Sequence, residues 1–281
     1  MDVLTTPAAM RAWSRAHHEA GERIGIVPTM GALHRGHLAL VDAVRERSDR
    51  IIVTIFVNPL QFNQTADFDR YPRPIDDDLT TCRDSAIDAV YAPTAATMYP
   101  SGFETHVEPG ALAEHLEGPM RPGHFRGVAT VVMKLLNATL ADVAAFGQKD
   151  FQQLAIVRRM VRDLDLGVEV LGIPIVREVD GLALSSRNVR LTEEDRLAAV
   201  VISRSLQAAV AAFGRGERDA DALRSIVLDG ITAEPRASVE YVEVVDALTL
   251  EAADRANPPA CVLTAAWFGG VRLIDNALLD Q

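Results

Sequence analysis

Apolar positions along the chain follow two different spacings. Ile24 to Val27 is a short apolar run that stops at Pro28, the pattern of a buried strand. From His37 to Arg47 the apolar residues Leu38, Val41 and Val44 fall on one side of a helix. Ile51 to Val57 (IIVTIFV) is β-branched and almost wholly apolar, as a central parallel strand should be. Strand, helix and strand in that order predict a βαβ unit with a right-handed crossover. The same texture continues less sharply. Ala86–Tyr91 reads as a strand broken by Pro93, Val128–Leu140 as a helix, and Val143–Phe146 as a short strand running into Gly147. Phe151–Leu164 reads as a helix with Leu154, Val157 and Val161 on one face, and Val168–Leu171 as a further strand.

After about residue 175 the pattern changes. Asp180-Gly181 is a turn signal between Ile175–Val179 and Leu182–Leu184. Thr192 with Asp195 resembles a capping box, followed by an Ala-rich helix to about Phe213. Gly214-Arg215-Gly216 breaks that helix, and a second runs from about Ala220 to Ile231. Val239–Val245, Ala260–Trp267 and Val271–Ile274 are short strands with no helix between them, which predicts an antiparallel sheet. The expected architecture is α/β: a Rossmann-like, doubly wound parallel sheet over residues 1–175, with a smaller α+β domain over 176–281.

Composition narrows the function classes. Aromatic residues make up only 5% of the chain, so Ala, Val, Leu and Ile must build the core. The formal net charge is −11 and no basic run occurs, which argues against a polynucleotide partner. Cys82 and Cys261 form no CxxC motif and are expected to be reduced and unpaired. The N-terminus lacks the pattern of a signal peptide, and no apolar run approaches the roughly 18 residues needed to span a membrane, so a cytoplasmic protein is expected.

Candidate chemistry sits where strands hand over to helices. Pro28 to His37 (PTMGALHRGH) joins the first such strand to its helix. A helix start at the carboxyl end of a parallel strand favours an anion, and Gly31 and Gly36 allow close backbone approach. His34 and His37 are three residues apart and can point the same way, as phosphate donors, as zinc ligands lacking an obvious third partner, or as surface residues. Asn58-Pro59-Leu60-Gln61-Phe62 follows the next strand; taken alone it reads as a turn that happens to contain Gln, and its position also lets Gln61 bind a hydroxyl or carboxylate. Gly118 to Gly127 (GPMRPGHFRG) reads as a mobile flap or simply as a loop with a helix start. Gly147-Gln148-Lys149-Asp150 opens another helix, with Lys149 suited to a triphosphate, Asp150 to ribose hydroxyls and Gln153 one turn on, or with Lys149 and Asp150 as a routine surface pair at a helix start. Leu184-Ser185-Ser186-Arg187-Asn188 offers hydroxyls and a guanidinium that can clamp phosphates.

Six segments in this order, PTMGALHRGH, FVNPLQF, DFDRYPR, RPGHFRGVATVV, FGQKDFQQL and DGLALSSRNVRL, resemble the pantoate–β-alanine ligase (pantothenate synthetase) family over essentially the full length. H-x-G-H alone would indicate only the wider adenylyl-transferring superfamily. The resemblance implies an AMP-forming, amide-bond-forming ligase that joins (R)-pantoate to β-alanine through pantoyl adenylate, using ATP and Mg²⁺. It implies ATP contacts at Met30, Gly31, Ala32, Leu33, His34, Arg35, Gly36 and His37, at Gly147, Gln148, Lys149 and Asp150, and at Val176, Leu184, Ser185, Ser186 and Arg187. Gln61 and Gln153 would hold pantoate, and Gln61 would also touch β-alanine. His37, the position of the family's proton donor, would act with His34, Lys149 and Arg187 in catalysis, and Asn58, Tyr71, Glu117 and Arg121 would lie further out. No protein metal ligands are implied. Residues 1–175 would bind nucleotide and pantoate, residues 176–281 would act as a lid, and the enzyme would be a cytoplasmic homodimer. Two positions depart from the family pattern: Arg35 stands where Glu is usual, and Leu184 where Met is common.

Overall fold

The computed structural model describes residues 1–63 and 65–280. They form two compact units, one of residues 1–148 with 153–174, the other of residues 149–152 with 175–281.

In the first unit the elements run β1 (Asp2–Leu4), α1 (Pro7–Glu19), β2 (Ile24–Thr29), α2 (Arg35–Arg45), β3 (Arg50–Ile55), α3 (Thr65–Asp69), α4 (Ile75–Asp84) and β4 (Ala89–Tyr91). They continue with α5 (Ala95–Met98), α6 (Glu117–Met120), α7 (His124–Thr139), β5 (Val143–Gly147), α8 (Phe151–Asp163) and β6 (Glu169–Ile173). The strands make one parallel sheet in the order β1-β4-β3-β2-β5-β6. Successive strands step from β2 to β3 and β4 on one side, and from β5 to β6 on the other. The order therefore reverses between β2 and β5, and such a switch point opens a crevice at the carboxyl ends of the strands.

Side-chain alternation along the strands divides the core. Ile24, Ile26, Ala144 and Phe146 pack under α1, α7 and α8, against Met10, Val128, Leu135, Leu154 and Val157. Val27, Val53 and Ala145 pack on the other face, under Leu40, Val41, Val44 and Cys82 from α2 and α4. Burial of each large aliphatic side chain contributes about 1.5–3 kcal/mol. Gly25 sets how closely α2 approaches: a Cβ there would lie 2.0 Å from Val44 Cγ1 and 2.5 Å from Ser48 Oγ.

Strand β2 continues through Pro28 to Thr29, beyond the expected stop. The Thr29 carbonyl accepts from the Phe56 amide on the β3 side, so the nitrogen of Pro28 faces β5. Pairing with β5 has already ended at Ile26–Ala144, so the missing N–H interrupts no ladder bond.

The second unit contains α9 (Glu193–Gly214), α10 (Ala220–Thr232), β7 (Ala237–Asp246), β8 (Ala260–Phe268) and β9 (Val271–Leu279). The strands form an antiparallel sheet in the order β7-β8-β9. Helix α9 starts as the sequence suggests, with Thr192 Oγ1 accepting from the Asp195 amide at 3.1 Å. By length and composition alone α9 is long and apolar enough to cross a membrane, as a buried core helix can be. Ala199, Ile202, Leu206 and Phe213 instead carry it into the core over the sheet. The turn signalled at Asp180-Gly181 (Gly181 φ 93°) makes one antiparallel bridge, Arg177 to Ala183. Strand β9 runs five residues past its expected end at Ile274. The polar pair Asp275-Asn276 disguised it, and both residues are buried.

Candidate active site

The chain leaves β2 into a tightly tied loop. Thr29 donates its hydroxyl to the Thr54 carbonyl at 2.6 Å and accepts from the Gly31 amide at 3.0 Å. Gly31 (φ 84°) and Ala32 (φ 51°) both adopt left-handed conformations, which cost little at glycine and roughly 1–2 kcal/mol at alanine. Asp78, in the first turn of α4 and 2% exposed, holds that shape. Its carboxylate accepts from the Ala32 amide at 2.8 Å and the Leu33 amide at 2.7 Å. A Cβ on Gly31 would come within 2.7 Å of the same carboxylate.

Helix α2 then begins with a reciprocal histidine cap. His34 Nδ1 accepts from the Gly36 amide at 3.1 Å, and His37 Nδ1 accepts from the His34 amide at 3.3 Å. The two rings stack with centroids 4.0 Å apart. A nitrogen that accepts from a backbone amide carries no proton, so each neutral ring has its proton on Nε2. At this helix start the amides of Ala32, Leu33, His34, Gly36 and His37 all have partners within the chain. What this segment offers an anion is chiefly the imidazole edge, with the helix dipole behind it. The alternative of zinc at His34 and His37 finds no support, since the described residues contain no cluster of three metal-binding side chains. Arg35 is exposed.

Gln61 lies in a 3₁₀ turn after β3 and is 9% exposed. Its Nε2 donates to Met30 Sδ at 3.2 Å, and its Oε1 accepts from Asn58 Nδ2 at 3.0 Å. Asn58 is fixed in turn, donating to the Gly127 carbonyl at 3.1 Å and accepting from the Tyr99 hydroxyl at 2.8 Å. Burial raises the Tyr99 pKa, which keeps that hydroxyl a donor. The Gln61 carbonyl accepts from His124 Nδ1 at 2.7 Å and from Arg121 Nη2 at 3.4 Å. Because a carbonyl only accepts, His124 carries its proton on Nδ1. Arg121 also faces the buried Glu117 at 3.9 Å. Tyr71 packs edge-on against Phe62. The structure therefore gathers Met30, Asn58, Gln61, Glu117 and Arg121 into one network. Residues 124–127 are the first turn of α7, and Gly127 sits so close that a Cβ would lie 2.3 Å from the Leu60 carbonyl oxygen.

Gly147 ends β5, Gln148 follows it, and Gln153 lies half-buried in the first turn of α8. Lys149 and Asp150 group with the second unit, where Lys149 is half-buried and Asp150 exposed. Val176 and Leu184 to Arg187 are half-buried there as well. The Leu184 amide donates to the Val176 carbonyl at 2.9 Å, and the Arg187 amide donates to Ser185 Oγ at 3.3 Å.

Sequence reasoning missed Asp78, Tyr99 and His124. Asp78 stands in an acidic run at a helix start, where carboxylates are expected simply to favour the dipole. Only the packing of α4 shows which carboxylate turns inward.

The model of the family described as "Pantoate-beta-alanine ligase" matches residues 2–278. The pantothenate synthetase of Pelotomaculum thermopropionicum is 49% identical over 281 residues, covering all of both chains. That of Roseobacter denitrificans is 50% identical, covering 98% of this chain and 96% of its own. Among solved structures, pantothenate synthetase from Thermus thermophilus superposes with a TM-score of 0.94 at 42% identity, over the whole of both chains. The pantoate–β-alanine ligase of Francisella tularensis, solved with "Beta-gamma ATP and Beta-alanine", gives 0.81 at 31% identity, covering 99% of this chain and 98% of its own. A dinucleotide-forming adenylyltransferase and a tRNA synthetase fragment, the other adenylyl-transferring readings open to H-x-G-H, do not account for a match of this extent. This chain belongs to the pantoate–β-alanine ligase family.

Proposed function

We propose that the neutral His34–His37 pair handles phosphate charge in the ligase reaction through its two Nε2–H groups. The reaction is the family's: ATP-dependent condensation of (R)-pantoate with β-alanine to pantothenate, AMP and pyrophosphate. The pantoate carboxylate attacks the α-phosphorus of ATP and pyrophosphate departs. The amine of β-alanine then attacks the acyl carbon of pantoyl adenylate, and AMP leaves. Adenylation replaces a poor leaving group with a good one, so the protein's part is positioning and charge stabilisation.

In this reading Met30 to His37, Gly147 to Asp150, Val176 and Leu184 to Arg187 contact ATP. Charge that grows on the departing pyrophosphate meets the imidazole Nε2–H donors, Lys149 and Arg187. A preorganised donor of this kind is worth about 2.7–4 kcal/mol, or a factor of roughly 10²–10³ in rate. His37 then serves as a hydrogen-bond donor, and transfer of its proton is not required. Gln61 and Gln153 orient pantoate, with Gln61 also next to β-alanine. Mg²⁺ is a hard cation that keeps oxygen and water ligands, and it enters with the ATP phosphates as part of the substrate. A cytoplasmic location and a homodimeric state belong to the same proposal and rest on the family resemblance.

The observation that carries the reading is the capped, stacked histidine pair at the end of β2, beside the switch point, in a chain matched by the family model over residues 2–278. The test is to follow nucleotide products while pantothenate forms. One AMP and one pyrophosphate per pantothenate are expected. Stoichiometric ADP and phosphate would overturn the adenylate route.

A further inference from the structure

Two consecutive residues of β9 tie together the second unit's share of the proposed ATP contacts. Asp275 lies in a row with Val271, Leu273, Ala277 and Leu279, which carry apolar side chains into the core. A carboxylate in that row, 4% exposed, is not what the fold needs. Replacing a buried ion pair by apolar side chains of similar volume is often neutral or stabilising. Asp275 is nevertheless paired twice with Arg177, at 2.6 Å and 2.9 Å, and Arg177 also donates to the Gly181 carbonyl at 3.1 Å. That contact pins the turn whose two arms hold Val176 and Leu184, and from which Ser185 to Arg187 follow. The next residue, Asn276, is equally buried, and alternation along the strand sends its side chain the other way. Its Nδ2 donates to the main-chain carbonyl of Lys149 at 3.0 Å.

We propose that Asn276 is a positioning residue for adenylation that acts through the backbone of Lys149, with Asp275 beside it fixing Val176 and Leu184–Arg187 through Arg177. One strand thereby sets the spacing between the ammonium and the guanidinium-bearing loop. A cation misplaced by about 1 Å costs on the order of 10²-fold in rate. The inference rests on the proposed role of Lys149 in ATP binding, and its test separates the two.

Asn276→Asp keeps the shape and replaces the donor with an oxygen facing the Lys149 carbonyl. Adenylate formation is measured in single-turnover quench experiments with labelled ATP and pantoate, in wild type, Asn276→Asp, Lys149→Ala and the double variant. Asn276→Asp is expected to slow adenylation about 10–100-fold, with the KM for pantoate and the β-alanine step within about threefold of wild type. In the Lys149→Ala background the same substitution should cost less than about threefold, because its effect passes through the missing ammonium. An equal penalty in both backgrounds, or equal slowing of both chemical steps, would mean a general structural role and would overturn the proposal. So would unchanged adenylation in Asn276→Asp while Lys149→Ala is impaired. If Lys149→Ala itself leaves adenylation unchanged, both the ATP-binding role of Lys149 and the inference fall. Should Asn276→Asp melt at a much lower temperature, Asn276→Leu, which removes the donor without adding charge, is measured in its place against the same outcomes.

Discussion

Asp78 anchors the β2–α2 loop. Its buried carboxylate accepts from the Ala32 and Leu33 amides at 2.8 Å and 2.7 Å, and those bonds hold Gly31 and Ala32 in left-handed conformations. A hydrogen bond to a charged group contributes about 1.5–3 kcal/mol, so Asp78→Ala forfeits roughly 3–6 kcal/mol before relaxation. Asp78→Asn keeps one acceptor and turns an amide toward a backbone N–H, so it loses about half of that. A native stability of about 5–15 kcal/mol survives the milder change. For a chain of this size the loss in Asp78→Asn corresponds to a Tm drop on the order of 3–5 °C. Once released, Ala32 relaxes out of its costly conformation, and His34 and His37 lose their register. Asp78→Asn is therefore expected to lower the adenylation rate by about 10²-fold. Its KM for pantoate should stay within about threefold of wild type, since Gln61 is held by Asn58 and the α7 start. Pyrophosphate exchange and thermal unfolding on one preparation read both effects. Unchanged exchange together with an unchanged Tm would refute the assignment of Asp78 as the loop's anchor.

Gly127→Ala places a Cβ 2.3 Å from the Leu60 carbonyl oxygen and 2.8 Å from the Gln61 amide nitrogen, both main-chain atoms that cannot swing away. Steady-state kinetics should show the KM for pantoate rising more than tenfold, and an unchanged KM would contradict that packing. Burial pushes the Cys82 thiol up to about 11 and the Cys261 thiol beyond the usual range, so neither should react with a thiol reagent at pH 8 until the protein is unfolded. Stoichiometric labelling of the native protein would contradict this. Glu22 is held at about 2, first by the Arg50 guanidinium and then by His17, against an ordinary 4.5. Its pKa is lowered on folding, so its stabilisation is complete above about pH 4.5 and disappears as pH falls toward 2. Because the group faces solvent, salt should shrink the effect. Thermal melts of wild type should fall more steeply across that window than those of Glu22→Gln, and parallel curves would contradict it.

Much of this arrangement is legible in the sequence because local and global signals agree. The runs IGIV and IIVTIFV leave little choice but buried strands, and the intervening periodicity places α2 between them. What stays hidden depends on distant partners. Pro28 reads as a strand end, although the sheet has already parted on its N–H side. His34 is not a usual helix cap, and it caps α2 because its ring nitrogen accepts from Gly36. Asp275-Asn276 reads as the end of a strand because alternation alone cannot reveal that Arg177, 98 residues earlier, neutralises the buried carboxylate. Asp78 is hidden for the same reason, being one of three consecutive aspartates until α4 packs. At the proposed site, sequence position marks Gln61 as a candidate but not its grip by Met30 and Asn58, which comes from elements far apart in the chain.

The most direct test of the central claim is pantoate-dependent exchange of labelled pyrophosphate into ATP without β-alanine, compared between wild type and a folded His37→Ala variant. Wild type should exchange only when pantoate is present, and His37→Ala should lose exchange by about 10²–10³-fold while its Tm falls by no more than a few degrees from loss of the helix cap. Exchange in His37→Ala within a few-fold of wild type, or a requirement for β-alanine in wild type, would contradict the account.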